Sequence, residues 1–157
     1  MKLIKPSYQI IPSNGHTIEG IHKDIEVAAR TCYKSEDKIT EESSSKFVDM
    51  LLKREHYAMF EFGTVYLLIK INLSRVEESV LILLKILSEN PYCKINYVED
   101  GDWSYAYITT NYRVVAENPK LGLLKYLTEP TEHHHKRVTV KFTTSIGIVR
   151  EIIRHRV

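Results

Sequence analysis

The chain has 157 residues, of which 43% are hydrophobic and 27% charged, and its formal net charge is +2. That length fits one domain with a real core, and so small a charge gives no field for gathering nucleic acid. No apolar run approaches the ~20 residues of a membrane span. The opening MKLIKPSYQII has no long apolar stretch and no small-residue cleavage site, so no secretory signal is read. Cys32 and Cys93 lie far apart without metal-type spacing, which fits free thiols in a reducing cytoplasm.

Leu3 to Ile11 reads as a first strand, closed by Pro12-Ser13-Asn14-Gly15. Ile21, Ile25, Ala28/Ala29 and Cys32 recur at helical spacing and predict a helix over 19–33. Thr40 is the expected cap of a second helix, with Glu41 and Glu42 in its first turn. Its expected buried face is Phe47, Met50/Leu51 and the stem of Arg54. Phe62 to Asn72 is apolar and β-branched, a strand with Val65, Leu67, Ile69 and Ile71 on one face. Ser74-Arg-Val-Glu77 reads as a capping box. It opens a helix with the stripe Val76, Val80, Leu83/Leu84, Leu87 that ends before Pro91.

Asp100-Gly101-Asp102 marks a turn. Tyr105 to Val115 is read as a strand, within a tyrosine-rich stretch suited to a sheet. Asn118-Pro119 is the expected start of a short helix over 120–127. Arg137 to Thr144 alternates, with Val138, Val140 and Phe142 on one face. A final helix begins near Ser145–Gly147 and is expected to turn Ile148/Val149 and Ile152/Ile153 inward. Strands interspersed with helices indicate an α/β or α+β class, taken as a single domain over 1–157. No G-x-G-x-x-G or G-x-x-x-x-G-K-[ST] is present, which removes the simplest dinucleotide and P-loop readings.

Two places carry chemistry. Arg154-His155-Arg156 sets two permanent cations and a titratable ring within one helical turn, and guanidinium forks suit phosphate and carboxylate oxygens. Glu151 and His155, and Arg150 and Arg154, are four apart and share neighbouring helix faces. The plain alternative is that cations at a helix C-terminus complement the macrodipole. The second place is Arg54 to Glu61, where a helix runs into a strand, a corner suited to a ligand. His133-His134-His135 raises a metal site as a minor alternative. Adjacent histidines diverge on regular elements, so no metal is assigned.

Together these segments resemble the flavin-dependent (alternative, ThyX-type) thymidylate synthases along nearly the whole chain. The resemblance rests on Ala29-Arg30-Thr-Cys-Tyr33, Lys34 to Thr40, His56-Tyr-Ala-Met-Phe-Glu61, Thr109-Thr-Asn-Tyr-Arg113, Lys136 to Phe142 and Glu151-Ile-Ile-Arg154-His155-Arg156. The family signature R-H-R-x-x-S-x-N-x-x-S-x-R-Y is met in its first four positions. The resemblance implies a chain truncated within that signature, short of residues expected to grip the dUMP phosphate. Glu55 stands where the family has glycine, and Phe62 where many relatives have a second histidine. The Ser145 to Arg150 run is more apolar than its family counterpart.

The resemblance implies a mixed or antiparallel sheet packed with helices. It implies reductive methylation of dUMP to dTMP, with methylenetetrahydrofolate giving the carbon and NADPH-reduced FAD the hydride. Arg154, His155, Arg156, His56 and Glu61 would bind FAD, with Arg154 and His155 catalytic. Glu151, Ile152, Ile153 and Arg154 would meet dUMP. A homotetramer with shared sites, a cytoplasmic location, and neither nucleic acid nor membrane as partner complete that expectation. The class needs no cysteine nucleophile, which leaves Cys32 and Cys93 as packing residues. The alternative is a non-catalytic relative that keeps only flavin or nucleotide affinity.

Overall fold

The computed structural model describes residues 5–152. The chain divides into two compact units, residues 13–137 and residues 1–12 with 138–157. In the smaller unit, β1 (Ser7–Ile11) pairs antiparallel with β5 (Thr139–Thr143), Tyr8 opposite Phe142 and Ile10 opposite Val140. The expected strands thus form, each shorter than its sequence run, and Leu3 lies outside the described residues. The final helix, α5 (Ile146–Ile152), also forms. Its expected inward face does not: Ile148, Val149 and Ile152 are all exposed. Two strands and seven helical residues offer too little surface to close a core.

The larger unit carries the buried core. Thr17 caps α1 (Ile18–Tyr33), its hydroxyl accepting the Gly20 N–H at 3.2 Å. The helix ends at Lys34 in the left-handed conformation, φ 51°, where the Lys34 and Ser35 N–H groups return to the last-turn carbonyls. Ile21, Ile25 and Ala29 are fully buried, as their spacing predicts. Cys32 is exposed and does no packing, whereas Cys93 is buried as expected.

The second helix, α2 (Ser43–Lys53), starts later than Thr40. Ser43 is the reason: its hydroxyl accepts the Thr40 N–H at 2.9 Å and donates to Glu26 Oε2 at 2.9 Å. Val48 and Leu51 form the buried stripe, with Phe47 and Met50 half-buried and Arg54 exposed. The fully buried β2 (Thr64–Asn72) face matches its sequence pattern at Val65, Leu67 and Ile69, with Ile71 nearly buried. The capping box at Ser74 does not form. Asn72 instead folds back, its side-chain oxygen taking the Ser74 N–H at 2.9 Å, and α3 (Glu78–Glu89) starts four residues on. Val76 is consequently exposed, while Leu83, Leu84 and Leu87 are buried.

A strand absent from the sequence reading, β3 (Lys94–Asp100), pairs with β4 (Trp103–Asn111) across the Gly101-Asp102 turn. Its side chains are largely exposed at the sheet edge, so it lacks the apolar alternation that marks β2. The sheet order is β2-β4-β3, all antiparallel. The predicted strand over 105–115 ends early, because Asn111 caps α4 (Tyr112–Glu117) by accepting the Val114 N–H at 3.2 Å. The expected helix over 120–127 splits into two short 3₁₀ turns, Pro119–Leu121 and Leu123–Tyr126. Gly122 sits between them at φ 57° and turns the chain out of a continuous helix. The chain is a mixed α/β protein whose antiparallel sheets pack with helices.

Candidate functional site

The corner between α2 and β2 is built by local hydrogen bonds. After Lys53 the chain turns sharply, with Glu55 N–H donating to Leu52 O and His56 N–H to Leu51 O, each at 3.0 Å. Glu55 takes φ 56°, a conformation in which its Cβ crowds the backbone and glycine would not. His56 then precedes a 3₁₀ segment, Tyr57–Phe62. Phe62 therefore belongs to this turn and is exposed, rather than opening β2.

Phe60 fastens the corner to the core. It is fully buried, with edge-on rings of Tyr57 at 5.9 Å and Tyr112 at 5.7 Å. Burial of such a ring contributes about 1.5–3 kcal/mol. Next comes Gly63, where a Cβ would meet Ile25 Cδ1 at 2.8 Å and Ile21 Cγ2 at 2.9 Å. Only glycine lets the strand start this close to α1. Gly63 O accepts the Tyr112 N–H at 2.8 Å and so ties the start of α4 to the corner.

With Phe60 and Gly63 fixed, the polar residues on either side face other segments. Glu61 Oε1 meets Arg113 Nη1 at 2.7 Å, and Arg113 Nε donates to Glu117 Oε1 at 2.8 Å. The guanidinium also sits 5.8 Å from the Tyr92 ring centroid. Hydrogen bonds to Glu117 and then Glu61 push the Arg113 pKa up, which keeps a permanent cation here. These side chains are about a quarter exposed, Arg113 at 27% and Glu61 at 24%, so solvent reaches the pair. On the other side of Phe60, His56 Nδ1 lies 3.2 Å from the Tyr33 hydroxyl at the end of α1, and both residues are exposed.

Behind the corner, His22 Nε2 lies 3.2 Å from the Tyr112 hydroxyl and the two rings stack edge-on. Burial pushes the His22 pKa down, with Asp49 opposing, and pushes the Tyr112 hydroxyl up. Sequence reasoning missed Glu26 and Arg30 as a pair. They stand four apart on α1, a spacing that signals an ion pair, and Arg30 Nε meets Glu26 Oε1 at 2.6 Å in the core. It missed Glu117 too, because the strand read over 105–115 concealed the helical Arg113–Glu117 spacing.

The remaining candidates belong to other segments of the chain. Glu151 and Ile152 close α5 in the smaller unit and are exposed. Ile153, Arg154, His155 and Arg156 lie outside the described residues. His134 of the histidine triplet is buried: its Nδ1 accepts the Thr131 N–H at 3.0 Å, which leaves the protonated Nε2 to donate to Leu67 O at 3.2 Å. Both ring nitrogens are thereby committed to the backbone, and His133 stacks on Tyr107 at 4.8 Å. Among the described residues no three His, Cys, Asp or Glu side chains gather to hold a metal. No described helix is long and apolar enough to cross a membrane.

The corner thus sets an imidazole, a carboxylate and a guanidinium on either side of one buried aromatic anchor. Residues 16–90, just under half the chain, match the family model described as Thymidylate synthase complementing protein. Over that stretch the chain is similar to this ThyX-type family, a family of thymidylate synthesis. No curated protein and no solved structure matches the chain.

Proposed function

We propose that the chain serves FAD-dependent reductive methylation of dUMP to dTMP, with methylenetetrahydrofolate and NADPH as co-substrates. The carrying observation is that the family-matched His56 and Glu61 flank the Phe60 anchor of one turn reached by solvent, His56 beside Tyr33 and Glu61 paired with Arg113. The donor set suits a flavin. An imidazole and a carboxylate can satisfy its ring N–H groups, carbonyls and ribityl hydroxyls, and a guanidinium can offset a reduced, anionic ring.

Bound flavin supplies the hydride. In this reading His56 and Glu61 bind and orient the ring system. Tyr33 holds the His56 imidazole by its Nδ1, leaving Nε2 for the ligand. Arg113 orients the Glu61 carboxylate through their ion pair. Arg154, His155 and Arg156 would add the remaining flavin contacts, and Glu151 to Arg154 would meet dUMP, with His155 managing protons near the ring. We also assign the assembly to a homotetramer with shared sites.

Release of tritium from C5-labelled dUMP, assayed with FAD, NADPH and methylenetetrahydrofolate, tests the reaction. Release that requires all components supports turnover. Flavin binding with no release would identify a non-catalytic relative instead.

A further inference from the structure

β2 has a second feature at its far end from the His56–Glu61 corner. There the turn after Asn72 borders a half-open cleft of about 340 Å³ between β2, the start of α3, Trp103 and Tyr126. That volume lies in the range of small-molecule sites. Its walls differ sharply in character. Ile69 and Ile71, on the buried face of β2, border the cleft along the strand edge. Trp103, 42% exposed, and half-buried Tyr126 present aromatic surface. Lys70 and Arg75 supply two cations against the single carboxylate of Glu77.

The mouth is held rather than loose. Leu73 N–H donates to Asp102 O at 2.8 Å, Ser74 N–H to Asn72 Oδ1 at 2.9 Å, and Arg75 N–H to Asn72 O at 3.1 Å. The backbone under Arg75 is thus pinned by three bonds, while its guanidinium has no hydrogen-bond or ion-pair partner among the described residues. Lys70 lies over the Tyr105 ring at 5.8 Å, with no carboxylate engaged. An unpaired guanidinium fork beside aromatic walls offers an oxyanion contact next to a stacking surface.

We propose that this cleft is a second binding site, distinct from the flavin corner, for a planar aromatic ring bearing one acidic group. The ring lies against Trp103 and Tyr126, and its carboxylate or phosphate oxygens meet Arg75, with Lys70 adding charge. The excess of one positive charge over Glu77 matches a single anionic group.

Trp103 is the chain's one tryptophan, so its emission reports on this cleft alone. Titration of the full chain with benzoate, benzamide and cyclohexanecarboxylate separates charge from ring. Phenyl phosphate, run alongside, shows which oxyacid the clamp prefers, and saturation by either acid meets the proposal. The expected result is a saturable emission change with benzoate or phenyl phosphate. Binding should weaken at least about tenfold for benzamide, for cyclohexanecarboxylate and in Arg75→Ala, the effect of losing one charge-assisted contact or the stacked ring. Arg75 is exposed, so its removal leaves the core intact. No saturable change with either acid, equal affinity for benzamide, or an unaltered titration in Arg75→Ala would each overturn the proposal. None of these readouts involves flavin.

Discussion

Two Glu–Arg pairs in the larger unit use the same chemistry for opposite ends. Glu26 and Arg30 are sealed, with side-chain exposures of 1% and 11%. Ser43 donates to the second Glu26 oxygen, and Arg30 lies 4.4 Å over the Phe47 ring. Ser43 and Phe47 both lie on α2, so the pair helps to hold α1 against α2. Glu61 and Arg113 instead sit at a wet corner, and Arg113 divides itself between two carboxylates. A closed buried pair specifies structure, because an uncompensated charge in the core is costly. An open pair contributes little to stability and keeps charge where a ligand can meet it.

The largest effect should come from breaking the sealed pair. Arg30→Ala strands the Glu26 carboxylate and should cost about 3–5 kcal/mol in urea denaturation. Replacing both members with apolar residues of similar size should restore most of that loss. A mild Arg30→Ala phenotype would erase the contrast between the two pairs. Next in size, Gly63→Ala forces a Cβ against Ile25 and Ile21 and should cost about 1–3 kcal/mol, readable as a lowered midpoint.

Arg113→Ala draws the contrast from the other side. Its stability cost should stay within about 1 kcal/mol, as for exposed pairs. Flavin affinity should fall much further, so a matched thermal melt and flavin titration of one variant measure both. Smaller still, Glu55→Gly relieves a left-handed φ of 56° and should stabilise the chain by about 0.5–1 kcal/mol. A neutral or destabilising result would mean that the Glu55 side chain contributes contacts that outweigh the backbone strain.

Acidification gives a gradual effect. Burial holds the His22 and His134 pKa values below the ordinary 6.5. The unfolded chain therefore takes up protons near pH 6.5 while the folded chain does not. The stability these neutral rings contribute is complete above that pH and is lost as pH falls below it. His134→Gln should flatten the slope of stability against pH in that window.

Much of this arrangement was legible in the sequence, for stated reasons. α1 and β2 were readable because their apolar positions follow 3.6- and 2-residue periods and face one core. The Arg54–Glu61 corner was readable as a helix-to-strand transition. Three things were not. β3 is an exposed edge strand with little apolar alternation. The start of α3 depends on the Asn72 side chain outcompeting Ser74 for the turn. The end of β4 depends on Asn111 capping α4. Each is a polar side chain or an edge overriding a hydrophobic pattern. The Glu61–Arg113 contact joins residues 52 positions apart, and no local spacing announces it.

Absorption titration of the full chain with FAD tests most directly whether the proposed corner takes a flavin. The expected result is saturable binding, with flavin bands that shift on adding dUMP, weakened at least about tenfold by Glu61→Gln or His56→Ala in folded variants. FAD binding untouched by both substitutions, or no binding by the intact chain, would contradict the assignment of the corner.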